Sequence, residues 1–135
     1  FDFLLRPRNI ARITPESMGL TFVDPPDVLQ LGSRLEFHVT VHGSKQTLIH
    51  EIISLDEPYQ FTEQQVQGPF GQFVHEHVVE STDKGTVRLI DRIEFKPPTG
   101  LLGFILTEKR IRSSLKEGFV HRHRELEQLL QREDA

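Results

Sequence analysis

Residues 59–95 read YQFTEQQVQGPFGQFVHEHVVESTDKGTVRLIDRIEF, and the architecture follows from them. Two turn signals interrupt an otherwise alternating pattern. Gln67-Gly68-Pro69-Phe70-Gly71 is a tight hairpin signal, and Asp83-Lys84-Gly85 is a second. They separate three strands of period two: about Tyr59 to Gln67, about Gln72 to Ser81, and Thr86 to Phe95. Strands joined by turns this short, with no helix between them, form an antiparallel meander.

The same period continues upstream. Leu35, Phe37, Val39 and Val41 alternate with Glu36, His38, Thr40 and His42, and Gly43-Ser44 makes the turn. Leu48, His50 and Ile52 then alternate with Ile49, Glu51 and Ile53 in a strand that ends at Asp56-Glu57-Pro58. Nearer the start, Pro7 and Pro15 bracket a segment, Asn9 to Thr14, with room for one or two helical turns. Downstream, Pro97-Pro98 ends the sheet and the period changes. From Leu101 to Glu133 there is no proline, and Phe104, Ile111, Leu115, Phe119, Leu126, Leu129 and Leu130 recur at helical spacing. The spacing predicts one helix about 45 Å long. A meander and a single amphipathic helix leave the sheet one partner. The predicted architecture is therefore α+β, a curved antiparallel sheet wrapped around a long C-terminal helix in a single domain, residues 1–135.

Composition narrows the function. The 135 residues are 36% hydrophobic and 27% charged with a net charge of −4, an ordinary globular balance without the basic excess of a nucleic-acid binder. No apolar run reaches the roughly 18–20 residues of a transmembrane helix. There is no cysteine, which excludes disulfides and thiolate ligands and fits a reducing, cytoplasmic location. The only methionine is Met18, so the chain is expected to be truncated at its N-terminus.

Strand parity places several polar residues on the apolar face. With Gln67 and Gly71 closing the first hairpin, Gln65 faces Phe73, Glu63 faces His75, and Phe61 faces His77. With Val79 facing Val87 in the second, His77 faces Leu89, His75 faces Asp91, and Phe73 faces Ile93. Phe61, Phe73, Leu89 and Ile93 mark the inward face, and Glu63, Gln65, His75, His77 and Asp91 share it. Glu63, His75 and Asp91 are thus expected in one row across three strands, with neighbouring Cβ atoms about 5 Å apart. On the helix, Ile111, Leu115, Leu126 and Leu129 define an apolar stripe that contains Gly118 and Arg122. Arg122 is expected to pair with Glu63 or Asp91. Gly118 costs the helix about 1 kcal/mol relative to alanine, unless it leaves room for a ligand.

A set of buried Glu, His, Asp and Arg is in the first place a hydrogen-bonded structural network. His38, His42, His121 and His123 face outward or flank the stripe, with no role expected. His75 and His77 have a spacing that metals use, but no compact ligand motif accompanies them, so neither a metal nor any other cofactor is expected. Lys109, Arg110, Arg112, Lys116 and Arg124, interleaved with acids, form a solvated face.

Residues 61–70 (FTEQQVQGPF), followed by Phe73-Val-His-Glu-His77, resemble the ligand-binding SRPBCC family of the START-like, pollen-allergen-like superfamily, which includes polyketide cyclases. The shared pattern is an acid, then Gln, then Gly-Pro-aromatic, then aromatic-x-His-x-His. Gly85-Thr86, Asp91, the stretch 97–103, Phe119 with Arg122, and residues 9–15 also fall where that pattern expects them. The resemblance implies a helix-grip fold: a seven-stranded antiparallel sheet holding the C-terminal helix around an apolar cavity, with its first strand upstream of Phe1. Phe73 stands where the family usually has Trp, and Val79 where it often has Phe, which implies a roomier cavity. The resemblance brings no catalytic residues.

The expected function is binding of a hydrophobic small molecule of lipid, quinone or polyketide-like aromatic type. Phe37, Phe61, Phe73 and Leu89 would line the cavity, with Gly118 leaving space and Glu63, Gln65, His75, His77, Asp91 and Arg122 orienting the ligand. The alternative is a cyclase or dehydratase in which His75, held by Asp91 or Glu63, acts as general base. A third possibility is an interior filled by side chains. Cavity volume separates it from the other two.

Overall fold

The computed structural model describes residues 1–41 and 43–133. His42 lies outside them. A short helix α1 (Pro7–Arg12) and a 3-10 turn (Glu16–Met18) precede six strands: β1 (Thr21–Val23), β2 (Arg34–Val41), β3 (Ser44–Asp56), β4 (Gln60–Gln67), β5 (Gln72–Ser81) and β6 (Val87–Lys96). Helices α2 (Gly100–Ile105) and α3 (Glu108–Glu133) complete the chain. The strands pair in sequence order, every neighbour antiparallel. Among the described residues the sheet has six strands rather than seven. The seventh was expected upstream of Phe1, outside the chain.

Curvature comes from β3 and β4, where the ladder slips twice. Val66 and Ile53 are each an extra residue facing no partner, and both are exposed. Bulges of this kind bend a strand and strengthen its twist. The concave face takes the apolar alternates, Leu35, Leu48, Ile52, Phe61 and Phe73, all buried. Leu4, Leu5 and Ile13 from the N-terminal segment and Leu126 from α3 close one cluster with Leu35, Ile52 and Phe61.

The two hairpins differ in how well sequence fixes their register. In the first, Phe61 faces His77 and Glu63 faces His75, as the turn signal predicts. The second is two residues out of the expected register: Val79 faces Leu89, His77 faces Asp91 and His75 faces Ile93. The cause lies in the turn. Thr82 donates its amide to the Thr86 carbonyl at 2.9 Å, and the two hydroxyls lie 2.6 Å apart, so Asp83, Lys84 and Gly85 form a three-residue loop. Gly85 sits at φ +74°, the left-handed position such a loop requires.

The single helix expected from Leu101 onward is two. Leu106 leaves helical geometry at ψ 76°, and Thr107 starts α3 afresh. Its carbonyl accepts the Ile111 amide at 3.0 Å and its hydroxyl accepts the Arg110 amide at 3.3 Å. Thr107 is therefore the N-cap. This leaves Leu101 and Phe104 exposed at 85% and 82%, so Phe104 does not belong to the apolar stripe. Thr107→Ala is expected to cost about 1 kcal/mol. The urea midpoint checks it, and an unchanged midpoint would show that α3 is held by its packing alone.

Candidate functional site

Four strands and α3 bring their polar side chains to one place on the concave face. His50 comes from β3, Glu63 from β4, His75 and His77 from β5, Asp91 from β6, and Arg122 and His123 from α3. Two carboxylates organise the cluster. Glu63 accepts from His50 Nδ1 at 3.0 Å and from His77 Nε2 at 3.2 Å. Asp91 accepts from His75 Nε2 at 2.7 Å and from His123 Nε2 at 2.6 Å. His77 Nδ1 lies 3.4 Å from Asp91 Oδ1, so this one ring reaches both acids. His50, His75 and His77 are 3–5% exposed.

Aromatic rings seal the cluster. His77 is sandwiched between Phe61, stacked at 4.1 Å, and His75, stacked at 3.7 Å. Phe119 of α3 meets His75 edge-on at 5.2 Å. Phe37 and Phe73 flank His50 at 4.9 and 5.5 Å. His50 Nε2 is buried with no hydrogen-bond partner among the described residues.

The electrostatics follow from this crowding. Burial pushes Glu63 up, but hydrogen bonds from His50 and His77 outweigh it and hold the carboxyl well below its ordinary range. Burial likewise raises Asp91, and the His75 hydrogen bond and neighbouring histidine charge bring it down further than burial lifts it. His75 falls to about 4, chiefly by desolvation and then by repulsion from His77, against the stabilising bond to Asp91. The site therefore holds two ionised carboxylates and a neutral His75 at pH 7.

The straight row Glu63–His75–Asp91 is replaced by a diagonal. Glu63 does face His75, but Asp91 stands opposite His77 and reaches His75 obliquely, because of the second hairpin's register. Arg122 does not pair with an acid. Among the described residues it has no carboxylate within 4.0 Å. Its guanidinium lies over the Phe119 ring at 5.0 Å and reaches the Thr14 hydroxyl at 3.5 Å. The histidines have already taken the acceptors it was expected to use. Burial lowers its pKa, with Asp91 and Glu63 drawing it back up.

Gln65 also serves another purpose. Its amide donates to the Phe70 carbonyl at 2.8 Å and accepts the Phe70 amide at 3.3 Å, bracing the hairpin. A Cβ on Gly118 would meet only the Met18 sulfur, at 3.8 Å, so that glycine faces the 3-10 turn. Leu89 is half-buried and lines an interior cavity of about 10 Å³ with Leu4, His77, Asp91, Arg122, His123 and Leu126. That is no more than the space of one water molecule. The roomier cavity implied by Phe73 and Val79 is not open, because the N-terminal segment fills it: Leu4 and Leu5 are buried and Phe1 packs edge-on against Phe61 at 5.8 Å.

Two members were not assigned from sequence. His50 alternates with Leu48 and Ile52 on the apolar face, which was signal enough. His123 was set aside as outward or flanking, yet it lies four residues after Phe119 on the same helix face.

No protein-family profile matches the chain, and no curated protein matches it. Its fold is similar to that of ginseng major latex-like protein 151 from Panax ginseng, with a TM-score of 0.62, covering 93% of this chain and 82% of that one at 20% identity. The likeness bears out the expected fold, a curved antiparallel sheet holding a long C-terminal helix. No helix is long and apolar enough to cross a membrane.

Proposed function

We propose that the protein binds a hydrophobic small molecule carrying one polar group, between the sheet and α3. One observation carries this reading: two carboxylates and three buried histidines form one cluster on the concave face, and Asp91, His77 and Arg122 from its edge line a small cavity under α3. Buried ionic groups stabilise a fold poorly compared with apolar side chains of the same volume. Concentrating them in one place therefore favours a site over a strut. Arg122, without a carboxylate partner, is free to take the ligand's polar end beside His123. The apolar body would lie among Phe37, Phe61, Phe73 and Leu89. A ligand of lipid, quinone or polyketide-like aromatic type has this chemistry, and the cytoplasm is the expected location.

Volume sets a condition. An apolar cavity of about 150 Å³ is what takes up a benzene-sized molecule. Leu4 and its neighbours must therefore move outward as the ligand enters. Leu4→Ala removes part of this plug, and is expected to bind the fluorescent probe anilinonaphthalene sulfonate at least tenfold more tightly than the natural chain. Native mass spectrometry of the purified protein should show a co-purifying apolar compound. If neither protein takes up the probe and nothing co-purifies, the interior is a packed core and the reading fails.

The His75–Asp91 contact favours a second reading, a cyclase or dehydratase. Asp91 fixes the His75 tautomer so that Nδ1 carries the lone pair, as a general base acting beside a carbonyl requires. Turnover of polyketide-like ketones that is lost in His75→Gln, with probe binding retained, separates the two readings.

A further inference from the structure

The cluster has a second property that does not depend on ligand binding. One donor atom from each of Glu63, His75 and His77 lies within 4.8 Å of the others. Glu63 Oε1 is 3.9 Å from His75 Nδ1, and Glu63 Oε2 is 3.2 Å from His77 Nε2. Donors bound to a common tetrahedral zinc at about 2.0–2.1 Å lie about 3.3 Å apart. Only small side-chain adjustments separate the observed spacing from that one. We infer that Glu63, His75 and His77 form a three-donor site for a divalent transition-metal ion, with zinc the simplest occupant.

The remaining nitrogens support the assignment. His75 turns Nε2 toward Asp91 and therefore Nδ1 toward Glu63. His77 does the reverse, with Nδ1 toward Asp91 and Nε2 toward Glu63. Both rings thus present one nitrogen to the same acid and the other to the metal position. A carboxylate behind each ligating histidine fixes its tautomer and orientation, as in many zinc sites. Asp91 is itself held by His123, and Glu63 by His50. The donors stand on two hydrogen-bonded strands, so their spacing is set by the ladder rather than by a loop.

Charge points the same way. Glu63 and Asp91 are largely shielded acids, 16% and 13% exposed, and no arginine or lysine lies within 4.0 Å of either among the described residues. Histidine hydrogen bonds satisfy these oxygens, but no fixed cation offsets their charge, and a divalent cation would. Two nitrogens and an oxygen suit zinc or its first-row neighbours better than calcium or magnesium, which take oxygen donors. Binding requires the lone pair of His77 Nε2, so the hydrogen it shares with Glu63 Oε2 moves to Nδ1, which faces Asp91 at 3.4 Å, and His77 ligates as neutral imidazole.

The test is titration of the full chain, stripped by chelator, with zinc chloride at pH 7.5, followed by calorimetry, and with cobalt, followed by its visible bands. The expected result is one saturable equivalent per chain. The His75→Gln, His77→Gln double variant should lose it. Glu63→Gln should weaken it at least tenfold, and Asp91→Asn about 10–100-fold. His38→Gln, remote from the cluster, should leave it unchanged. Circular dichroism confirms that each variant folds. Should the variants not fold, nitrogen NMR of the natural chain decides: zinc must shift the ring nitrogens of His75 and His77 and not those of His38. Absence of a one-equivalent step, its survival in the double variant, or unshifted His75 and His77 nitrogens would overturn the inference.

Discussion

Metal-free protein is expected to lose stability steeply on acidification, with His75 responsible for about 3 kcal/mol between pH 6.5 and 4. The sign follows from proton counting. In the unfolded chain His75 takes up its proton near 6.5, whereas the buried ring resists until about 4. Between those values the unfolded state binds more protons, so lowering the pH favours unfolding. A displacement from 6.5 to about 4 corresponds to about 3 kcal/mol at 1.36 kcal/mol per pH unit. Glu63 and Asp91 act in the same direction at lower pH. Their folded pKa values lie below the unfolded ones, so the stability they contribute is present above about pH 4.5 and disappears as the pH falls further. Urea midpoints of chelator-treated protein at pH 7.5, 5.5 and 4 give the slope, and His75→Gln should flatten its upper part. Equal slopes in the two proteins would mean that His75 takes up its proton in the folded state as readily as in the unfolded chain.

Phe61→Ala should lower the melting temperature by about 10–20 °C. The ring is 1% exposed and holds three parts of the interior together. It stacks on His77 at 4.1 Å, meets Phe1 edge-on at 5.8 Å, and belongs to the cluster that includes Leu126. Truncating a buried phenylalanine costs about 3–5 kcal/mol in lost transfer energy and residual cavity. For a domain of this size, each kcal/mol moves the midpoint by about 3–4 °C. Phe104→Ala is the natural comparison. That ring is 82% exposed, and its loss should cost under about 0.5 kcal/mol. Similar melting temperatures for the two variants would show that the core does not close around Phe61.

Sequence was informative where a local signal fixed a local geometry. The Gly68-Pro69 turn set the β4–β5 register, and alternation then placed Phe61, Glu63, His75 and His77 on one face, where they are found. It misled where two local solutions compete. A three-residue loop can span 82–84, the register expected, or 83–85, the one observed, and only the pairing of Thr82 with Thr86 decides. The Thr107 cap went unread, because apolar residues recur at helical spacing on both sides of it and no proline or glycine marks the break. Arg122 illustrates a different limit. Its place near the apolar face was legible, but its partner was not, because the outcome depends on competition among donors from separate elements. His75 and His123 occupy both oxygens of Asp91, leaving the guanidinium to Phe119 and Thr14.

Leu4 and Leu126 meet in one cluster although 121 residues separate them in the chain. This spacing matters during synthesis on the ribosome. The meander from β2 to β6 is built from neighbours in sequence and can pair as it emerges. The surface that covers its concave face cannot close until α3 has been translated and released from the exit tunnel. Until then the side of the cluster that Leu126 covers stays in water, as it would permanently in a chain terminated before Leu126. Such a product would keep most of its ladder hydrogen bonds and still expose the kind of apolar surface that leads to aggregation and chaperone capture.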